Sequence, residues 1–213
     1  MGKLVDSPLE GTTGRTGRFV IANVGGVEII RRRPKTISKT ISNKQQLIRD
    51  RFKNATNFMA AYNSYSSLYF GKPIKNKSRH SQASSNAMSS FVLDFDTNTW
   101  SIDNEKLMFS KGKLLPPFPL HMVSPNPGEI QITWTDNSEG DTQRETDELQ
   151  VLVAINQTTK GYLFKNVAQR VTGIATLQLP LRFHNNEIVV WIAFANHNLG
   201  IASNSEYFGT ITI

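Results

Sequence analysis

Arginine is the residue type with the most chemistry to offer in this chain. Residues 31–35 read Arg-Arg-Arg-Pro-Lys, with Arg15, Arg18 and Lys39 close by in sequence. A guanidinium presents a planar fork of N–H donors that fits carboxylate or phosphate. Arg15, Arg18, Arg31, Arg32, Arg33, Lys35 and Lys39 are therefore the expected contact residues for an acidic protein surface or a polyanion. Gly11, Gly14 and Gly17 precede them at every third position. No Gly-Lys-Ser/Thr follows, so this is not a phosphate-binding P-loop. A turn-rich lead into the next segment is the simpler reading, with a flexible arm on phosphates as the alternative.

Catalytic or metal chemistry finds little support. Asp94, Asp96 and Asn98 fall at positions 1, 3 and 5 of an EF-hand-like loop, with Glu105 at position 12. Position 6 is Thr99, where a calcium loop turns on glycine, and Leu114 and Pro116 interrupt any following helix. These four residues stand as a calcium candidate against a simpler turn in which Asp and Asn cap their own backbone. His80, His121, His184 and His197 include no pair at metal-ligand spacing. The absence of cysteine rules out disulfides, thiolate metal sites and thiol catalysis. No Gly-x-Ser-x-Gly nucleophile setting occurs. Asp94 and Asp96 are sequence neighbours, not carboxylates set across a cleft. The acidic stretch 136–148 lies between two strand-like segments and reads most simply as a polar loop, with an ion or partner site as the alternative. The chain is expected to be non-enzymatic, with no cofactor and no resident metal.

Charge is distributed unevenly. Residues 1–80 hold 16 Lys/Arg against 4 Asp/Glu, and residues 81–213 hold 8 against 13, giving +12 and −5. Such asymmetry suits an anionic partner for the first part, or a basic end of one copy meeting an acidic end of the next. With 38% apolar and 19% charged residues among 213, the composition is that of a folded protein. The start, MGKLVDSPLEG, lacks the apolar core of a secretory signal. No apolar run approaches the ~20 residues of a membrane helix. The expected location is the cytoplasm, or an assembly released without a signal.

The elements that must carry these residues follow from periodicity. Around Gly25-Gly26, residues 18–31 read as a β-hairpin, since a type I′ turn needs φ > 0 at both central positions. Phe19 and Ile21 fall on one face; Val20, Ala22 and Val24 fall on the other. Val27 and Ile29 alternate with Glu28 and Ile30. Both faces are largely apolar, and a lone hairpin is marginal in water, so something must cover this one. Ser42 and Gln45 form a capping-box pattern that opens a helix over 43–70. Its apolar stripe is Ile48, Phe52, Ala55, Met59, Tyr62 and Tyr69, widened by Leu47, Phe58, Tyr65 and Leu68 and stopped by Gly71 and Pro73. Phe52, Met59 and Tyr62 are expected to be buried. Residues 80–93 suggest a second, shorter, antiparallel helix. From about residue 100 the period becomes two. Strands are expected over 106–110, 119–123, 129–135, 148–156, 161–165, 174–179, 188–196 and 206–213.

The fold class is thus α+β: an N-terminal β-hairpin and helical pair, then an antiparallel β-sandwich. The expected domains are a basic region over 1–111 and an autonomous sandwich over 112–213. Residues 115–213 resemble fibronectin type III and immunoglobulin-like modules. The resemblance rests on the LPPFP lead, Trp134 in ITWTDN, Leu177 and Leu179 before Pro180, and the stretch AFANHNLGIASNS before a closing strand. Nearly the whole chain also resembles an uncharacterised Bacteroidota family of similar size, through GRTGRFVIANVGGVEIIRRRPK, ITWTDN and NSEYFGTITI. That resemblance implies no activity and no site residues. The expected function is structural: self-association, or a subunit of a larger, phage-like assembly. The expected partner is a second copy in a homo-oligomer or another protein, with nucleic acid bound through the basic region as the alternative, and no membrane.

Overall fold

A computed structural model describes residues 2–33, 41–74 and 76–213. It forms two compact units, Met1–Ser42 and Asn43–Ile213. Helices and mostly antiparallel strands make it an α+β protein. Among the described residues, no helix is long and apolar enough to cross a membrane.

The first unit is a four-stranded sheet. Its centre is the expected hairpin, β3 (Phe19–Val24) and β4 (Val27–Arg32), taken by the chain after β1 (Gly2–Lys3) and β2 (Gly14–Thr16). Gly25 and Gly26 sit at φ 61° and 83°, as a two-residue loop joining Val24 to its partner Val27 requires. The Asn23 side chain accepts the Gly26 N–H at 2.9 Å and braces the turn. The glycine-rich lead is not a free arm. It supplies one outer strand, β2, and residues 2–3 supply the other, in the order β1-β4-β3-β2. The Glu28 carboxylate accepts the Gly11 N–H at 2.9 and 3.1 Å, and the Glu28 carbonyl accepts that of Leu4. Ile21, on the central strand, is buried.

The second unit begins with α1 (Asn43–Met59), α2 (Asn63–Tyr69) and α3 (Arg79–Ser90). The single helix expected over 43–70 is broken at residues 60–62. There the amides of Ala60, Ala61 and Tyr62 bond three residues back, a tightened final turn, and Tyr62 leaves helical geometry at φ −131°. The break lets Tyr62, Tyr65 and Phe70 all enter the core. Only one side of the expected wide stripe is buried on α1. Leu47, Ala55, Phe58 and Met59 are buried, whereas Phe52 is 62% and Ile48 47% exposed. The expected burial of Phe52 is therefore wrong: position 52 shares its face with Ile48, and the core takes the neighbouring row. Phe52→Ala should cost under about 0.5 kcal/mol in urea unfolding, as exposed substitutions do; a loss of several kilocalories would mean position 52 carries core packing.

Strands follow: β5 (Phe91–Asp94), β6 (Thr99–Ile102), β7 (Phe118–Val123), β8 (Glu129–Thr135), then a short α4 (Thr142–Glu145), β9 (Glu148–Ile155), β10 (Gly161–Phe164), β11 (Ile174–Gln178), β12 (Glu187–Asn196), β13 (Ile201–Ala202) and β14 (Glu206–Thr212). The second helix thus ends before Phe91, which opens a β5–β6 hairpin. Residues 106–110 form no strand. Leu107 and Phe109 are core residues, and the segment is held by the Ser205 hydroxyl accepting the Phe109 N–H at 3.0 Å and the Ser110 hydroxyl donating to the Ser203 carbonyl.

The strands from β7 onward make two antiparallel sheets, β11-β8-β7 and β10-β9-β12, with β13 and β14 both pairing β12. Ile130, Ile132 and Trp134 of β8 pack with Val151 and Val153 of β9 and with Ile188, Val190, Ile192 and Phe194 of β12. The other face of β9 and β12 is covered too. Leu152, Val189, Trp191 and Ala193 join Phe58, Tyr62, Ala83, Ala87 and Phe91 in a second core cluster. Edge-on ring contacts at 6.1 Å link Phe58 to Phe91 and to Trp191. The helices and these two sheets are therefore one unit. The compact units part at Ser42/Asn43, not at 111/112 as expected, because the helices close the outer face of the larger sheet.

Candidate functional site

Strand register decides which arginines act together. Residues directly opposite in an antiparallel ladder share a face. Arg15 opposes Val20, and Val20 opposes Arg31. One step beyond the ladder, the Arg33 N–H donates to the Arg18 carbonyl at 2.7 Å, which sets those two side chains on the same face. Arg15, Arg18, Arg31 and Arg33 thus gather at one end of one face. Arg32 opposes Phe19 and lies on the reverse face. Lys3 opposes Ile29 and joins the arginine face from β1, a residue sequence reading missed because a two-residue edge strand leaves no periodic signal. Lys35 and Lys39 lie outside the described residues.

This face carries no acid at its strand positions, and its arginines are exposed. None of them is ion-paired among the described residues. The one carboxylate on the hairpin, Glu28, points to the reverse face and is occupied by Gly11. At the turn end the arginine face becomes apolar: Val24 is 55% and Val27 41% exposed. Like charges directly across a strand pair repel, so an acidic partner would relieve this surface.

The calcium candidates are not brought together. Asp94 ends β5, and its carboxylate accepts the amides of Asp96 and Thr97 at 2.9 and 3.3 Å. A hydrogen bond from the Thr97 side chain, then these two amides, holds the Asp94 carboxyl below the usual carboxylate range. Asn98 takes φ 54° as the left-handed residue of the β5–β6 turn. Among the described residues, no group of three His, Asp or Glu side chains could hold a metal ion. The EF-hand spacing is answered by a capped hairpin turn.

The acidic loop 136–148 also proves largely structural. Asp147 is buried against a wholly buried Arg170 at 2.8 Å, and Arg144 pairs with Glu139 and Asp141 at the surface. One polar network was not foreseen. The Tyr69 hydroxyl meets His197 Nδ1 at 2.9 Å, and His197 Nε2 meets Asn166 Oδ1 at 2.8 Å and Glu148 at 3.2 Å. Such a chain resembles a proton relay, but burial and the Glu148 charge raise the Tyr69 pKa. That direction keeps the phenol protonated, the reverse of what a phenolate nucleophile or base requires. The network fixes the Tyr69 ring. Its members are far apart in sequence, so no local pattern announces it.

Residues 11–209 match the model of a family of unknown function, DUF6266. No curated protein matches the chain.

Proposed function

For a chain that belongs to the DUF6266 family of unknown function, we propose a non-enzymatic role in assembly, through contact of the N-terminal sheet with a second copy. The observation that carries this is the composition of the arginine face. Arg15, Arg18, Arg31 and Arg33 share it with the exposed apolar pair Val24 and Val27. Arginine beside exposed apolar surface is typical of protein–protein interfaces. A polyanion would use the cations and leave the valines wet. The −5 stretch 81–213 of another copy supplies complementary charge. Arginines free of acidic partners favour a second reading, a polyanion bound by the same face.

The sandwich we read as immunoglobulin- or fibronectin-III-like. Its first, second and fifth strands form one sheet and its third, sixth and seventh the other, the partition of that fold. The fourth, β10, pairs the third. Such a module suits display or spacing in a larger, phage-like assembly.

Light scattering across a concentration series tests the role. The wild-type chain should exceed monomer mass and loosen with salt. Val24→Ser with Val27→Ser should return it to monomer, as should Arg15, Arg31 and Arg33 changed together to Glu. A chain that stays monomeric while binding duplex DNA, with log affinity falling linearly in log salt, would replace assembly by the polyanion reading.

A further inference from the structure

A second basic site lies beside the helices of the larger unit. A cavity of about 260 Å³ beside the α2–α3 loop is lined by Lys72, Arg79, Lys111 and Lys113, with Leu68, Tyr69 and Ile201 as apolar wall. No acidic residue lines it. None of its four cations forms an ion pair among the described residues. Four positive charges around one small cavity repel each other unless an anion sits among them.

The walls are held in place without a ligand. Arg79 Nε donates to the Gly71 carbonyl at 3.1 Å, which aims the rest of its guanidinium. The Gly71 amide donates to the Lys111 carbonyl at 2.7 Å, and the Lys111 amide to the Tyr69 carbonyl at 3.0 Å. Gln82 ties down the Lys72 carbonyl at 2.6 Å. At Gly112 a Cβ would fall 1.9 Å from the Ala202 carbonyl oxygen, so only glycine lets these two walls approach. The Tyr69 ring is fixed by His197 at its hydroxyl and by Tyr65, whose ring centroid is 4.7 Å away.

We propose that this cavity binds a small phosphate ester with an aromatic or aliphatic body. Four cations suit a doubly charged phosphate better than a single carboxylate, and a guanidinium suits its oxygens. The fixed tyrosine and the apolar wall suit the body of the ester. The volume lies just below the ~300–1,000 Å³ of most small-molecule sites, which fits one small molecule and not a duplex.

Calorimetric titration of the full chain tests this, with adenosine 5′-monophosphate as probe and adenosine and inorganic phosphate as separate arms. The nucleotide should bind in a salt-sensitive way, adenosine should not, and phosphate should bind more weakly than the nucleotide. Arg79→Gln should weaken the nucleotide about tenfold or more, the usual effect of losing a charged hydrogen bond. Lys72→Gln with Lys113→Gln, which touches no bond that shapes the walls, gives the same readout should Arg79→Gln fold poorly. The Glu variants at Arg15, Arg31 and Arg33 should leave this binding unchanged, so its outcome is separate from that of the assembly role. No binding of nucleotide or phosphate at millimolar concentration, or binding untouched by both sets of cavity variants, overturns the proposal. Phosphate binding as tightly as the nucleotide overturns the part assigned to the apolar wall.

Discussion

Asp147→Ala is expected to lower the unfolding free energy by about 3–5 kcal/mol, the usual cost of leaving one member of a buried ion pair uncompensated. Arg170 is fully buried and Asp147 nearly so. One guanidinium nitrogen meets Asp147 Oδ2 at 2.8 Å and the Leu115 carbonyl at 3.1 Å, and another meets Asn137 Oδ1. Asn196 donates to the second Asp147 oxygen at 2.9 Å. The Phe194 ring lies 4.0 Å from the guanidinium carbon. Two further bonds close the network: the Arg170 amide donates to the Asp147 carbonyl, and the Trp134 indole N–H to the Arg170 carbonyl. Removing the carboxylate leaves a cation in a dry site and frees Asn196 as well. Desolvation already opposes the pair, so replacing both members by apolar residues should cost much less than the sum of the single losses. Arg170→Met with Asp147→Leu is the double variant. Urea unfolding followed by tryptophan fluorescence reads all three. A loss below about 1 kcal/mol for Asp147→Ala would mean water reaches the pair.

That network shows where sequence reading stops. Asp147 is one acid among several in DNSEGDTQRETDE, and nothing local separates it from exposed Asp136 or Asp141. Its partner is 23 residues away across another strand pair. Strand positions were more legible. Over 129–135 the period-two pattern gives β8 to the residue, and Trp134 is buried as its alternation implies. The Gly25-Gly26 turn carries its own conformational signature. Helix facing was less legible, because α1 has two adjacent apolar rows, one through Ile48 and Phe52 and one through Leu47, Ala55 and Phe58. Only the larger sheet decides which row is buried. The arginine cluster was legible as composition, but its division into a face of four and a lone Arg32 depends on register.

The sequence of β12 itself ties the helices to the larger sheet. β12 reads EIVVWIAFAN, apolar in both phases of the strand period. Ile188, Val190, Ile192 and Phe194 face the smaller sheet, so Val189, Trp191, Ala193 and Ala195 must be covered by something else. A strand with no polar phase is buried on both sides. Apolar helical stripes are present in residues 43–70 and 80–93, which ties the helices to the outer face of β9 and β12.

The consequence is a truncation experiment with an all-or-none outcome. Residues 43–213 should fold alone and melt cooperatively, since they form one compact unit. Residues 112–213, expected from sequence to be autonomous, should not. That fragment loses Phe58, Tyr62, Tyr65, Phe91 and Phe109 and lays bare Leu152, Val189, Trp191 and Ala193. Each large buried side chain contributes about 1.5–3 kcal/mol when removed from water. A handful of them therefore matches the ~5–15 kcal/mol of net stability typical of a domain. Trp191 would also lose the Asn104 carbonyl that accepts its indole N–H at 2.7 Å. The exposed apolar strands would favour aggregation over a folded monomer. Circular dichroism melts of the two fragments separate the cases. A cooperative transition in 112–213 close to that of 43–213 would show that the helices are ornaments on an independent sandwich. A missing transition in the short fragment, beside a sharp one in the long fragment, is the result the shared core requires.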